Sequence, residues 1–238
     1  MNFNFTSKKV FFITFFVTIL LEALSLLGYQ FSIINTIAFV AISIFAFAIS
    51  LKYPLAGLCM LAAEIVIGSF GYLFYFQFDG GKISIRLALF IAIFFAWALR
   101  RISYRSTYFA KSRFLRPAIV LALIILFGAV HGILAGNGVM SVFYDVNGYF
   151  FFALLLVVSD TLFTKGDIKK LISVILAAAS WVTIKSYLAL IFFSHVTDES
   201  LIRFVYRWIR VTRVGEITAV VGNVSRIFFQ SHLWVLFL

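Results

Sequence analysis

Long apolar runs separated by short polar stretches dominate the pattern of this chain. With a window of about 19 residues, seven complete runs and one incomplete run emerge. At a rise of about 1.5 Å per residue, each complete run can cross a hydrocarbon core of about 30 Å as a helix, the fourth only marginally. The predicted spans are 10–28, 31–51, 53–77, 83–99, 117–135, 140–159 and 171–194, with 227–238 incomplete.

The pattern therefore predicts an all-α fold, a polytopic transmembrane helical bundle that forms a single domain over residues 1–238. The last run has about 12 apolar residues, which is too short to span. We expect it to be a truncated eighth span and the chain to be the amino-terminal part of a longer protein. A short re-entrant or interfacial helix at 227–238 is the alternative.

Composition supports a lipid environment. Hydrophobic residues make up 63% of the 238 positions and charged residues only 12%, against about 25% charged in soluble domains, and the mean hydropathy is +1.09. The lone Cys59 cannot form a disulfide framework or a cysteine metal site within one chain. No metal-ligand or cofactor motif is present, so neither is expected, and no catalytic residue is assigned.

The charge distribution predicts the orientation. The net charge is +11, and basic residues in short loops mark the cytoplasmic side of a membrane. The connection between the fourth and fifth spans has six basic residues and no acid: Arg100, Arg101, Arg105, Lys111, Arg113 and Arg116. Alternating from this loop, we expect a cytoplasmic amino terminus and an outer location for residues 195–226, with Lys82 and Arg86 also outside.

The outer segment 195–226 breaks the positive-inside rule, because it contains five arginines. Four of them fall within a sector of about 120° on a helical wheel, which predicts an amphipathic helix near 200–213 at the outer surface. They form the arginine stripe: Arg203, Arg207, Arg210 and Arg213. Guanidinium forks suit phosphate, so we expect a diphosphate-like ligand. Anchoring to anionic headgroups remains open, whereas nucleic acid has no access and is not an expected partner.

Three ionisable residues lie within predicted spans, where charges are expensive and mark function or a buried pair. Glu22, Glu64 and Lys185 have expected heights of about 18, 16 and 21 Å above the inner end of their spans. They are therefore expected to share one polar layer, with a carboxylate–Lys185 pair as the simplest arrangement. This layer fits structural pairing, a substrate cavity or a transporter's proton relay.

Several stretches together resemble the O-antigen ligase and O-antigen polymerase superfamily of bacterial inner-membrane proteins. The resemblance covers the whole chain as a pattern of loose motifs and their spacing between spans. The stretches are 64–69, 80–86, 96–97, 136–138 and 145–149, together with the outer arginines.

This resemblance implies an integral-membrane glycosyltransferase fold in the inner membrane. Members transfer a glycan from an undecaprenyl-diphosphate carrier on the outer face, in cell-surface polysaccharide biosynthesis. In this chain the arginine stripe would bind the diphosphate, with Arg86 and Arg226 as possible partners. Membrane lipids are the other partner that the resemblance implies. Members of the family have further helices and a large outer loop, which we expect to follow residue 238 in the longer protein. A membrane transporter that uses the Glu22, Glu64 and Lys185 layer, and a non-catalytic membrane scaffold, remain as alternatives.

Overall fold

The computed structural model describes residues 6–79, 81–103, 115–162, 164–221 and 224–236. The structure is mostly helical (81%), with a short 3₁₀ turn at Phe151–Ala153 and two antiparallel hairpins. The helices are α1 (Ser7–Gln30), α2 (Ser32–Lys52), α3 (Pro54–Ile67), α4 (Ile85–Ser103), α5 (Leu115–Leu134), α6 (Val139–Phe150), α7 (Leu154–Thr161), α8 (Lys165–His195), α9 (Glu199–Thr212) and α10 (His232–Leu236). The strands are β1 (Tyr75–Phe78), β2 (Gly81–Ser84), β3 (Glu216–Val221) and β4 (Val224–Phe228).

Five helical segments in the described ranges are long and apolar enough to cross a membrane, which indicates a membrane protein. They are α1, α2, α5, the α6–α7 segment Val139–Thr161, and α8, and they coincide with the first, second, fifth, sixth and seventh predicted spans. Helix α4 coincides with the fourth but is not among the five; it carries Arg86 near its start and Arg100 and Arg101 near its end. The count of seven complete spans stays a prediction.

The third predicted span, 53–77, is wrong beyond Ile67. Helix α3 ends there, and the chain turns through Ser69 and Gly71, whose φ angles are 50° and 84°. The hairpin β1–β2 follows, with Tyr75 opposite Ser84 and Phe78 opposite Gly81. The Asn35 amide of α2 holds this hairpin, because its Nδ2 donates to the Tyr75 carbonyl at 2.7 Å and its Oδ1 accepts from the Tyr75 N–H at 3.3 Å.

The predicted incomplete span at 227–238 is also wrong in its described part. Strand β4 extends to Phe228 and pairs with β3, and α10 has only five residues. Both elements lie against α8. Backbone pairing within the hairpin satisfies polar groups that a single strand would leave open, so an apolar sequence here does not require a helix.

The bundle core forms where α8 packs against α1 and α3, and where α2 packs against α4. Small side chains allow the helices to approach closely, which is typical of membrane bundles. A Cβ added to Gly57 of α3 would lie 2.0 Å from Ser50 Oγ of α2, and Ala46, Ala96 and Ala178 are fully buried. Helix α5 differs, because none of its residues is buried and it packs mainly on α6.

The bundle has two distinct ends. At the first, which we call the Lys52 end, Arg100 Nη1 donates to the Lys52 carbonyl at 3.2 Å, and Arg101 forms an ion pair with Asp160. Of the predicted cytoplasmic residues, Arg105, Lys111 and Arg113 lie outside the described residues. At the second, which we call the hairpin end, the α1–α2 junction meets β1–β2 and α9. Which end faces the cytoplasm stays a prediction.

Candidate functional site

Helix α9 confirms the amphipathic helix predicted near 200–213. It begins after Asp198, whose carboxylate accepts hydrogen bonds from the backbone N–H of Ser200 at 2.8 Å and of Leu201 at 3.3 Å. Hydrogen bonds from the Ser200 side chain and from these backbone groups hold the pKa of Asp198 below its ordinary value near 3.8. The carboxylate therefore caps the helix and also faces its positive dipole end.

One face of α9 is anchored to the bundle. Trp208 and Ile209 are buried, and Trp208 Nε1 donates to Ser25 Oγ of α1 at 3.1 Å. Ser25 Oγ in turn donates to the Leu73 carbonyl, before β1, at 2.6 Å. All four arginines of the stripe are exposed on other faces. The helix thus rests on protein with its charged side open.

A cavity of about 490 Å³ lies between the end of α1 and the first half of α9. Its lining combines two guanidinium groups with aromatic, amide and hydroxyl side chains, and we call it the arginine pocket. The lining residues are Tyr29, Gln30, Ser200, Arg203, Phe204 and Arg207. The Tyr29 and Phe204 rings, with centroids 5.5 Å apart, join the two helices.

The two pocket arginines differ in their partners. Arg203 Nη2 lies 3.1 Å from Glu199 Oε2, with both side chains largely exposed at 67% and 83%. Such a surface pair contributes little, and a stronger anion can replace it. Arg207 has no acidic partner within 4.0 Å among the described residues. The pocket therefore presents positive charge and hydrogen-bond donors that can bind an oxyanion in bidentate fashion.

The structure does not bring the other predicted arginines into this pocket. Arg210 is exposed on α9 but does not line the cavity. Arg213 follows the helix in the left-handed conformation and lies over the Tyr72 ring, 5.3 Å from its centroid. Arg226 is exposed on β4.

Arg86 is paired with Glu64, contrary to the arrangement expected from the sequence. Its Nε lies 2.7 Å from Glu64 Oε2 and its Nη2 lies 3.4 Å from Oε1. Two glycines make room for the pair, because a Cβ on Gly68 would lie 2.1 Å from Glu64 Oε1 and one on Gly71 would lie 2.6 Å from Arg86 Cβ. A guanidinium neutralised in this way is poorly suited to the diphosphate role that the resemblance implied for Arg86.

The predicted polar layer divides into two ion pairs as a result. The carboxylate–Lys185 pair is confirmed with Glu22, since Lys185 Nζ lies 2.5 Å from Glu22 Oε1 and Trp181 Nε1 donates to Glu22 Oε2 at 2.9 Å. Lys185 also lies over the Phe229 ring at 4.9 Å. Glu22 is 5% and Glu64 6% exposed. Each buried carboxylate thus receives hydrogen bonds on both oxygens, Glu22 from Lys185 and Trp181 and Glu64 from two nitrogens of Arg86. This favours a structural role over an open cavity.

His232 lies against α8. Its Nε2 is 2.7 Å from Ser186 Oγ, but Ser186 Oγ already donates to the Val182 carbonyl at 2.7 Å. With the Ser186 proton directed to Val182, His232 Nε2 donates to the serine oxygen, so this nitrogen does not act as a base on Ser186. The pair fixes α10 on α8.

Sequence reasoning missed Tyr29, Gln30 and Ser200 as pocket residues. The first two end a long apolar run, and nothing in their pattern indicates that the end of α1 meets α9. The structure also shows an apolar cavity of about 1270 Å³ between α4 and the α5–α7 segment, which the span pattern did not predict.

Comparison with known proteins gives no family, no curated protein and no solved structure that matches this chain.

Proposed function

We propose that the protein binds the diphosphate group of a lipid-linked glycan at the arginine pocket and takes part in transferring that glycan on the outer face of the bacterial inner membrane. The observation that carries the proposal is the pairing of Arg203 and Arg207 in one cavity at the hairpin end, beside a bundle whose helices suit a membrane. A ligand with a lipid tail and a diphosphate head matches both environments.

The chemistry of such a transfer needs a stabilised leaving group. The bond between the anomeric carbon and the diphosphate oxygen breaks, and its electron pair stays on the diphosphate. A bond forms from that carbon to an acceptor hydroxyl oxygen, whose proton passes to water or to the released diphosphate. Guanidinium groups placed where the negative charge develops lower the barrier without a metal.

Binding of inorganic pyrophosphate and of farnesyl diphosphate tests the proposal, with the full chain in nanodiscs of zwitterionic lipid. Replacing Arg203 or Arg207 with Gln should weaken each Kd about tenfold or more, because a hydrogen bond to a charged group contributes about 1.5–3 kcal/mol. Arg116 is an exposed arginine on α5, and Arg116→Gln is the control with the same change in charge. Equal affinities in all variants would contradict the assignment of the arginine pocket as the diphosphate site.

Arginine-to-lysine substitution separates a specific site from headgroup anchoring. In the Arg203→Lys/Arg207→Lys double variant, attachment to anionic membranes should survive while diphosphate binding falls, since lysine lacks the planar fork. Unchanged diphosphate binding would favour the non-catalytic scaffold.

Glycan transfer is measured in cells with the Arg203→Ala/Arg207→Ala double variant. We expect transfer from the undecaprenyl-diphosphate carrier to be lost while membrane insertion is retained. Full transfer in that variant would contradict the proposed activity.

A further inference from the structure

Lys82 lies on the β1–β2 hairpin with its ammonium held over an aromatic ring. Its Nζ is 4.3 Å from the centroid of Tyr75. The register explains this contact, because Tyr75 is opposite Ser84 and Lys82 is therefore its diagonal neighbour on the same face of the hairpin. Lys82 is only half-buried, so a ligand can reach it.

Arg213 makes a similar contact at the end of α9. Its guanidinium lies 5.3 Å from the centroid of Tyr72, three residues before Tyr75. The backbone of Arg213 has φ 53° and ψ 29°. This is the left-handed conformation that glycine usually adopts at the end of a helix. A side chain at this position costs free energy that glycine would avoid. Stability of the fold alone would therefore favour glycine over arginine here, which indicates that the arginine has another role.

Both cations are held by the same short segment, over rings that are three residues apart in the sequence. Burial lowers the pKa of Lys82, and the positive charge of Arg213 lowers it further. Ser69 joins the two segments, because its Oγ donates to the carbonyl of Val214, next to Arg213, at 2.7 Å. In the described ranges, Ser69 and Arg213 are the non-glycine residues with positive φ, and such backbone strain is often concentrated at functional sites.

Neither Lys82 nor Arg213 has an acidic partner within 4.0 Å in the described part of the chain. Their rings position them without cancelling their charge, whereas a carboxylate would neutralise them as Glu64 neutralises Arg86. Two like charges held together in this way repel each other until an anion binds between them.

We propose that Lys82 and Arg213 form a second anion subsite, distinct from the arginine pocket, which takes a carboxylate carried by the glycan part of the substrate. This inference rests on the proposed function and adds that the glycan is acidic. It also reassigns Arg213, which the resemblance had placed with the diphosphate. Tyr29 lines the pocket at the end of α1, and Asn35, early in the next helix, hydrogen-bonds to the backbone of Tyr75, so the pocket and the subsite both lie at the hairpin end, where a single extended substrate can cover them.

Acylation of Lys82 by an amine-reactive reagent, followed by peptide mass spectrometry, tests the subsite on the full chain in zwitterionic nanodiscs. A bound oxyanion shields the amine and favours its unreactive charged form. We expect glucuronate to slow the reaction at Lys82, glucose to have no effect, and Lys165 at the opposite end of the bundle to react equally under all conditions.

The Arg213→Gly variant removes the guanidinium while suiting the backbone conformation. It should unfold at or above the wild-type temperature, yet need about tenfold more glucuronate for the same protection. If it unfolds earlier and protection is unchanged, Arg213 has only a structural role and the subsite is wrong. Lys82→Arg, which keeps the charge, should retain binding of glucuronate measured by competition with labelled glucuronate.

Other probes separate the possible sources of the anion. Protection by inorganic phosphate or by vesicles with anionic headgroups, but not by glucuronate, would overturn the assignment to a glycan. The Arg203→Gln/Arg207→Gln variant should keep glucuronate protection while losing pyrophosphate binding. Pyrophosphate binding that survives in this variant contradicts the proposed function alone, and absent protection in every protein contradicts the subsite alone.

Discussion

The cationic side chains in the interior of the bundle and those at its hairpin end have different partners. In the interior, Lys185 and Arg86 each contact a buried carboxylate. At the hairpin end, Arg207 and Arg213 have no acidic partner among the described residues, and aromatic rings lie beside the charges instead. The comparison teaches that a cation's partner indicates its role: a cation paired with a buried carboxylate joins helices, while a cation with no acidic partner, or with only an exposed one as in Arg203–Glu199, remains available to a ligand.

The largest effect is expected where an interior pair is broken. Lys185→Met leaves Glu22 buried without its cation, which should lower the free energy of unfolding by about 3–5 kcal/mol. Unfolding by a denaturing detergent, followed by tryptophan fluorescence, measures the loss. The Glu22→Gln/Lys185→Met double variant should recover most of it, because a buried neutral pair carries no uncompensated charge. Equal losses in both variants would contradict the pairing.

A smaller loss is expected for the second interior pair, which lies nearer to the hairpin end. Arg86→Gln leaves the buried Glu64 carboxylate with a weaker donor, at a cost of about 1–3 kcal/mol. The same unfolding measurement checks it, and Glu64→Gln/Arg86→Gln should again recover stability. Stability equal to wild type for Arg86→Gln would show that Arg86 is not committed to Glu64 and would return it to the candidate ligands.

The exposed pair on α9 should behave in the opposite way. Glu199→Gln removes the partner of Arg203, with a stability change of only about 0.3–0.5 kcal/mol. Because the freed guanidinium then serves the arginine pocket alone, pyrophosphate affinity should rise, and the gain should shrink as salt screens the charges. Titration at low and high ionic strength measures both effects, and weaker binding at low salt would contradict the account.

The smallest effect is local and depends on pH. The pKa of Asp198 is lowered in the folded chain, so its cap stabilises α9 fully above the carboxyl's ordinary pKa. The contribution is lost as pH falls through the lower folded pKa. The protection of the Ser200 and Leu201 amides from hydrogen exchange, taken relative to the intrinsic rate at each pH, should fall over that acidic range and should already be low in Asp198→Ala. Asp198→Asn, which still accepts hydrogen bonds, should remain protected at all pH values.

Much of the helical pattern could be predicted from the sequence. The runs that became α1, α2, α5 and α8 are long and uniformly apolar, and the spacing of the four arginines fixed the face of α9. The two hairpins could not be predicted in this way, because a short apolar run does not distinguish a strand from a helix. Gly68 and Gly71 were the signal that α3 ends early.

The ion pairs show why the site was only partly predictable. Height along a span placed Glu22, Glu64 and Lys185 in one layer, but height does not fix which way a side chain points around its helix. Glu64 pairs with Arg86 because the turn after Ile67 folds back onto the start of α4. In the same way, the stripe could be recognised from spacing alone, whereas the division of its arginines between two places depends on the ends of α1 and of the β1–β2 hairpin.

The most direct test of the central claim is a distance measurement between the phosphorus atoms of bound farnesyl diphosphate and the guanidinium nitrogens of the protein. Solid-state NMR on the full chain in bilayers, with labelled arginine and assignment by single substitution, provides it. We predict direct hydrogen-bond contact of the diphosphate with Arg203 and Arg207, and loss of both signals in the Arg203→Gln/Arg207→Gln variant. Phosphorus found beside Arg100 and Arg101 at the Lys52 end, or beside no arginine, would contradict the account.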